Sequence, residues 1–337
     1  MKIKKSYNLS KLNTFGVGAY AKFFAEVNTE AELEELFRSP EFKSNEKVFL
    51  GGGSNLLLTR DWPGIAVLNK LKGIEVLKEE GESVVLRAMG GEIWHDLVEF
   101  AATRGYWGIE NLSLIPGSVG AAPMQNIGAY GAELRNTLVS VEAYEIDTGK
   151  KKIFTREECA LGYRDSIFKN ELKGKYFISA VTFMLGKVGQ PNAGYKVLKE
   201  YLEKNKIIPQ SPKDISDAVA AIRRSKLPDP KIIGNAGSFF KNVFVEKAEF
   251  QKLQKDYPDI SHFEDEGKIK IPAAWLIERA GWKGQRRGKV GVHEKQALVL
   301  VNYGGASGRE LLELARDIIA SVQDKFGLTL TPEVNIV

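Results

Sequence analysis

KVFLGGGSN, residues 47 to 55, runs a short apolar strand directly into three glycines, a serine and an asparagine. Proteins that hold phosphates often do so at such a junction, because glycine lets backbone amides approach an anion with no Cβ in the way. Two common versions of the junction are absent. The chain has no Gly-Lys-Ser or Gly-Lys-Thr triplet to make a P-loop. GGASGRE, residues 304 to 310, follows an apolar strand and opens a helix, yet Ala306 stands where G-x-G-x-x-G requires its second glycine. Taken alone, Gly51, Gly52 and Gly53 read more often as a tight turn than as an anion cradle, with Ser54 and Asn55 adding side-chain donors in the second case.

A second stretch strengthens the cradle reading. ENLSLIPGSVGAAPMQNIGAYG, residues 110 to 131, keeps neither a helical nor a strand period. A loop that long inside a compact domain is usually functional or disordered, and its low charge and many apolar residues argue against disorder. Two such loops on one domain suit an extended, phosphate-bearing cofactor.

The surrounding pattern is mixed. Strands are expected at 21–27, 47–50, 65–69, 74–78, 83–88 and 175–185, with a hairpin of 139–147 and 151–155. Thr29 with Glu32 signals a helix through Arg38, and a second helix is expected near 93–104. Composition shifts after 187, where two loop-like segments bracket a charged helix at 195–205 and mark a boundary. Helices follow at 214–225, 247–257 and 273–280, then a strand at 297–302. Ser307 with Glu310 caps an amphipathic helix to Phe326, and 328–337 alternates as a strand.

With 337 residues, 43% hydrophobic, the chain buries a sizeable core or divides into domains. A net charge of +5, with no basic run interleaved with aromatics, gives no footprint for nucleic acid. Cys159 is the single cysteine, so no intrachain disulfide forms. His95, His262 and His293 lack metal-ligand spacing, so no metal is expected. The basic N-terminus has no apolar run behind it, and no apolar stretch is long enough to span a bilayer; a soluble cytoplasmic protein is expected.

Glycine-flanked serines invite a nucleophile reading. Ser54 has Leu56 at +2, Ser118 has Pro116 at −2, Ser238 has Ala236 at −2 and Ser307 has Arg309 at +2, so none sits in the G-x-S-x-G elbow.

GGGSNLLL (51–58), LSLIPGSVGAAPMQNIGAYGAEL (112–134), GYRDSIFK (162–169), KLPDP (226–230) with GNAGSFFKN (234–242), and PEV (332–334) occur in this order along the chain. In that series the sequence resembles the UDP-N-acetylenolpyruvoylglucosamine reductase family, flavoenzymes of bacterial peptidoglycan precursor synthesis. The resemblance implies an α+β fold: a two-part FAD-binding domain of the vanillyl-alcohol-oxidase/PCMH type over 1–190 (parts of about 1–70 and 71–190) and a smaller α+β substrate-binding domain over 212–326. Residues 191–211, with Gly194-Tyr195, become the substrate-covering loop, helix and linker of the type I form, and 327–337 the strand that carries Glu333. FAD, NADPH as reductant, a UDP-sugar substrate and the bacterial cytoplasm are implied. No nucleic acid, membrane or obligate protein partner is.

The implied reaction reduces an enolpyruvyl ether to a lactyl ether, with hydride from the flavin N5 to the vinyl carbon. Arg164 matches the catalytic arginine, Ser238 the proton donor and Glu333 the third catalytic position. Read without the resemblance, Arg164 equally pairs with Asp165, Ser238 forms a turn and Glu333 ends an exposed strand. For FAD the resemblance points to Gly51, Gly52, Gly53, Ser54 and Asn55, with Gly117, Ser118, Gln125, Asn126, Gly128 and Thr14. For the UDP portion it points to Tyr195, Lys226, Asn242 and Gln296. Val243 departs from the family pattern, which often has proline after the asparagine. Two rivals stand beside this reading: a flavin oxidase or dehydrogenase of the same cofactor fold acting on an alcohol or sugar lactone, and a nucleotide-binding scaffold without turnover.

Overall fold

The computed structural model describes residues 1–265 and 267–337. Runs of strands are interspersed with helices along the chain, the α+β content that the resemblance implies, and the chain divides into two compact units.

The first unit comprises Met1–Tyr7, Ala21–Gly52 and Trp62–Ser225. One sheet orders its strands Lys4–Asn8, Tyr20–Val27, Trp62–Asn69, Lys47–Leu50. Trp62–Asn69 runs parallel to both neighbours and is buried over its last six residues, as a strand covered on two faces must be. Helix Glu30–Arg38 starts where Thr29 Oγ1 accepts from the Glu32 amide at 3.1 Å. The Glu32 carboxylate reaches past the cap to the Asn28 amide at 2.7 Å, so the reciprocal half of the expected box closes one residue early.

A second sheet is antiparallel throughout, in the order Lys151–Thr155, Leu138–Glu145, Tyr176–Gly186, Ser83–Met89, Ile74–Glu80. Helix Trp94–Ala102 covers it, with the buried Trp94 ring edge-on to Phe183 at 5.9 Å. Helices Lys196–Lys204 and Pro212–Lys226 bury Leu198, Leu202, Ile215, Val219 and Ile222 together, with Trp107 and Tyr130 packed against them. That apolar contact carries the unit to Ser225, past both the 191–211 segment expected as linker and the boundary expected at 212.

The second unit comprises Asn8–Tyr20, Gly53–Asp61 and Lys226–Val337. One antiparallel sheet is Gly234–Ser238, Val299–Asn302, Val290–Val292, Arg286–Arg287, and another is Val243–Val245, Lys268–Ile271, Phe263–Asp265. Helix Gly308–Phe326 has both halves of its capping box: the Glu310 amide donates to Ser307 Oγ, and the Ser307 amide to the Glu310 carboxylate at 2.7 Å. Its inner face joins Phe239, Phe240 and Leu276 in a core that also takes Phe15, Val17 and Leu57 from the first sixty residues. The Asn302 side chain donates to Phe15 O at 2.8 Å.

The tail differs from the uninterrupted strand expected over 328–337. Leu328, Leu330 and Val334 do alternate into the core, but only Asn335–Ile336 forms a ladder, parallel to Leu56–Leu57. Pro332 has no N–H to give and meets Phe240 as a single bridge. Among the described residues no helix is long and apolar enough to cross a membrane.

Candidate functional site

In the first unit the two glycine-rich stretches meet. A Cβ on Gly51 would overlap Ser118 Oγ and lie 3.2 Å from Ser118 Cβ; one on Gly52 would lie 2.9 Å from Gly117 Cα. The second stretch is pinned to the start of helix Trp94–Ala102, where Gly117 O accepts from the Trp94 amide at 3.0 Å and Glu92 O from the Val119 amide at 2.9 Å. Gly51, Gly52, Gly117 and Ser118 thus form a backbone-rich junction of main-chain groups and one small hydroxyl, with no carboxylate of their own to repel a diphosphate. FAD fits that donor chemistry.

The remaining residues of 51–55 belong to the second unit. Gly53, at φ +62°, lies so close to Leu12 O that any side chain would collide with it. Its carbonyl accepts from the Thr14 amide at 3.0 Å and hydroxyl at 3.4 Å, so Thr14 braces the loop. Asn55 O accepts from the Asn335 amide at 3.1 Å, and Asn55 Nδ2 donates to Glu333 O at 3.4 Å. Ser54 is half-buried in the same loop.

Arg164 sits at the tip of a two-residue turn. Gly162 and Asp165 close it, the Asp165 amide donating to Gly162 O at 3.3 Å and the Gly162 amide to Asp165 O at 3.1 Å. Arg164 holds φ at +52°, a position that glycine or asparagine ordinarily takes. Its Nη2 donates to Gly128 O at 2.6 Å, and a Cβ on Gly128 would lie 3.0 Å from Nη1, so the glycine makes room for the guanidinium. Gln125 is half-buried on the same loop, and the neighbouring Asn126 is fully buried.

One basic residue near this turn escaped the sequence reading. Arg223, half-buried on helix Pro212–Lys226, donates from Nε to Leu114 O at 3.2 Å. Burial holds its guanidinium below its ordinary pKa; Tyr130 opposes that shift and Arg164 adds to it. Burial likewise raises the Tyr130 hydroxyl, with Arg223 pulling the other way. Tyr130 meets Tyr195 edge-on at 5.5 Å, and Tyr195 stands 45% exposed at the start of helix Lys196–Lys204. The signal for Arg223 was present: it lies four residues after Val219, on the apolar stripe of its helix, where a cation needs a reason.

In the second unit, Ser238 ends a strand that carries an extra residue. Asn235 pairs with Val301 and Ser238 with Val299, and Gly237 at φ +66° absorbs the surplus while its amide donates to Asn235 Oδ1 at 3.0 Å. Phe239 and Phe240 then bury themselves in the core. The Glu333 amide donates to Phe239 O at 2.8 Å and the Lys241 amide to Thr331 O at 2.9 Å, which brings Ser238 and Glu333 onto adjoining paired segments. Asn242 Oδ1 accepts from the Ala273 amide at 3.1 Å and so caps helix Ala273–Arg279. Val243 enters the ladder opposite Ile271. Gln296 Oε1 accepts from the Leu298 amide at 3.4 Å, and Lys226 is exposed.

Residues 21–152 match the family described as FAD binding domain, and residues 229–337 the one described as UDP-N-acetylenolpyruvoylglucosamine reductase, C-terminal domain. The solved UDP-N-acetylenolpyruvylglucosamine reductase of Thermus caldophilus aligns over 100% of this chain and 99% of its own, with a TM-score of 0.68 at 24% identity, a likeness of fold. Two curated UDP-N-acetylenolpyruvoylglucosamine reductases are similar throughout. The one from Flavobacterium johnsoniae is 45% identical and the one from Amoebophilus asiaticus 48% identical, each over 100% of both chains. Identity of that order, unbroken from end to end, means that this chain belongs to the UDP-N-acetylenolpyruvoylglucosamine reductase family.

Proposed function

We propose that the chain is an FAD-dependent oxidoreductase of the bacterial cytoplasm that reduces UDP-N-acetylglucosamine enolpyruvate to UDP-N-acetylmuramate, with NADPH as the electron source. The observation that carries this reading is the full-length identity to reductases of that name. The meeting of Gly51–Gly52 with Gly117–Ser118, inside the region matched as an FAD binding domain, supports it.

Gly51, Gly52, Gly53, Ser54, Asn55, Gly117 and Ser118 would hold the cofactor, with Thr14 bracing Gly53 and Gln125 and Gly128 contributing from the long loop. When bound, FAD supplies the hydride chemistry that no side chain can perform. The protein's own groups bind, orient and protonate. Charge develops on the carbon beside the substrate carboxylate, and the fixed guanidinium of Arg164 stabilises it. Ser238 gives its hydroxyl proton to that carbon, and Glu333, on the adjoining segment, orients the serine or returns a proton to it. Tyr195, Lys226, Asn242 and Gln296 hold the UDP portion. Cofactor binding is assigned to residues 1–190, and substrate binding to the C-terminal portion together with Tyr195.

An absorption spectrum tests the reading. Purified protein should be yellow, bleach on addition of NADPH and recover its colour when the enol ether is added without oxygen. Recovery with oxygen alone favours an oxidase acting on an alcohol or lactone. Colourless protein that takes up no FAD favours a non-catalytic nucleotide-binding scaffold.

A further inference from the structure

Asn126 has two amide hydrogens and a carbonyl to satisfy, and the protein satisfies all of them. Its Nδ2 donates to Gly162 O at 2.9 Å and to Glu133 Oε2 at 3.0 Å, while Oδ1 accepts from the Arg135 amide at 3.0 Å. The residue is 0% exposed and itself lies at φ +45°. A side chain so engaged, and buried, has no donor left to give a cofactor. Gly162 O is also the acceptor that closes the turn bearing Arg164.

The same loop touches that turn at two more points. Gly128 O receives the Arg164 guanidinium, and Met124 O receives the Ser166 hydroxyl at 2.7 Å. The turn is therefore fastened before, at and after Arg164 by residues 124–128. An arginine at positive φ is strained, and such a conformation persists only where its surroundings over-determine it. The fastenings supply that constraint.

We propose that Asn126 is a positioning residue for Arg164, acting through Gly162 O, and not a contact to the cofactor; the proposal rests on the reading of Arg164 given above. Loss of the fastening lets the turn relax toward an ordinary backbone conformation and withdraws the guanidinium from its place. Displacement of about 1 Å at a reacting centre slows a reaction roughly 100-fold.

The test compares wild type, Asn126→Ala, Arg164→Lys and the double variant. FAD content, reduction of the bound flavin by NADPH, and its reoxidation by the enolpyruvyl substrate are measured separately. Asn126→Ala should keep its FAD and its reduction by NADPH, lose roughly 100-fold in reoxidation, and cause no further loss when added to Arg164→Lys. Loss of FAD, equal slowing of both half-reactions, or full additivity in the double variant would overturn the proposal. A silent Asn126→Ala beside an impaired Arg164→Lys defeats the fastening alone. A silent Arg164→Lys defeats the role of Arg164 itself. Ser166→Ala removes the neighbouring tie and decides the matter if Asn126→Ala does not fold: a selective loss in reoxidation, on the order of tenfold, supports the proposal, and unchanged kinetics count against it.

Discussion

The Glu333 amide donates to Phe239 O at 2.8 Å, which fixes the last acidic residue of the chain one position along from Ser238 in a paired segment. The contact is main chain to main chain, so it uses no atom of either side chain. Substitutions at Ser238 and Glu333 can therefore test chemistry with little disturbance to the fold.

For Ser238→Ala, the reduction of bound flavin by NADPH should proceed at the wild-type rate, while reoxidation by the substrate slows by orders of magnitude. Rapid-mixing absorbance in each direction measures both. Equal slowing of the two half-reactions would show that the serine is a structural turn residue.

Glu333→Gln keeps the backbone pairing and the Asn55 contact to the Glu333 carbonyl. Its melting temperature should stay close to that of wild type, while turnover falls by roughly 10²-fold or more, the scale of a lost acid–base group. Unchanged turnover would remove Glu333 from the mechanism.

The glycine junction yields a graded prediction. Gly51→Ala meets the end of a small side chain, Ser118, whereas Gly52→Ala meets the Gly117 backbone at 2.9 Å. Both overpack the junction, by roughly 1–3 kcal/mol, and Gly52→Ala should be the more severe. Ser118→Gly should restore stability to Gly51→Ala and leave Gly52→Ala unrescued. Denaturant melts and retained flavin absorbance measure the series; rescue of both variants would disprove the packing account.

Acid should weaken the first unit through one carboxylate. Glu142 accepts from Arg87 at 2.8 Å and pairs with Lys151 at 2.7 Å. The Arg87 hydrogen bonds, foremost, hold its pKa down from 4.5 to about 2. A carboxyl depressed in the folded state stabilises above its unfolded pKa and loses that contribution as pH falls through the folded one. Stability should fall by on the order of 3 kcal/mol between about pH 4.5 and pH 2. Denaturant midpoints across that range should show the slope in wild type and a flatter profile in Glu142→Gln.

Helices with strong local signals were legible in the sequence. Ser307 with Glu310 and Thr29 with Glu32 marked their starts correctly, since a cap is decided by residues three positions apart. Strands Val243–Val245, Lys268–Ile271 and Phe263–Asp265 were not foreseen, because three- or four-residue segments acquire their identity from distant partners. The same cause hid the break at Pro332.

GGGSN and the 110–131 loop were singled out from composition as two loops suited to one extended cofactor, and the structure brings Gly51–Gly52 against Gly117–Ser118. The engagement of Asn126 was not legible. A buried asparagine in a glycine-rich loop looks, in sequence, like a donor awaiting a ligand, and only its three protein partners show otherwise.

Residues 8–20 belong to a unit whose other members are 53–61 and 226–337. Thr14 O waits for the Asn235 amide, Phe15 O for the Asn302 side chain, and the Phe15 ring for Phe239 at 6.3 Å. On the ribosome these early residues emerge long before the partners that complete their core. That unit therefore closes only once residues 226–337 have followed. A fragment beginning at Lys226 would expose the apolar bed of Phe15, Val17 and Leu57, and a nascent chain must shield those side chains until residues 226–337 have been made.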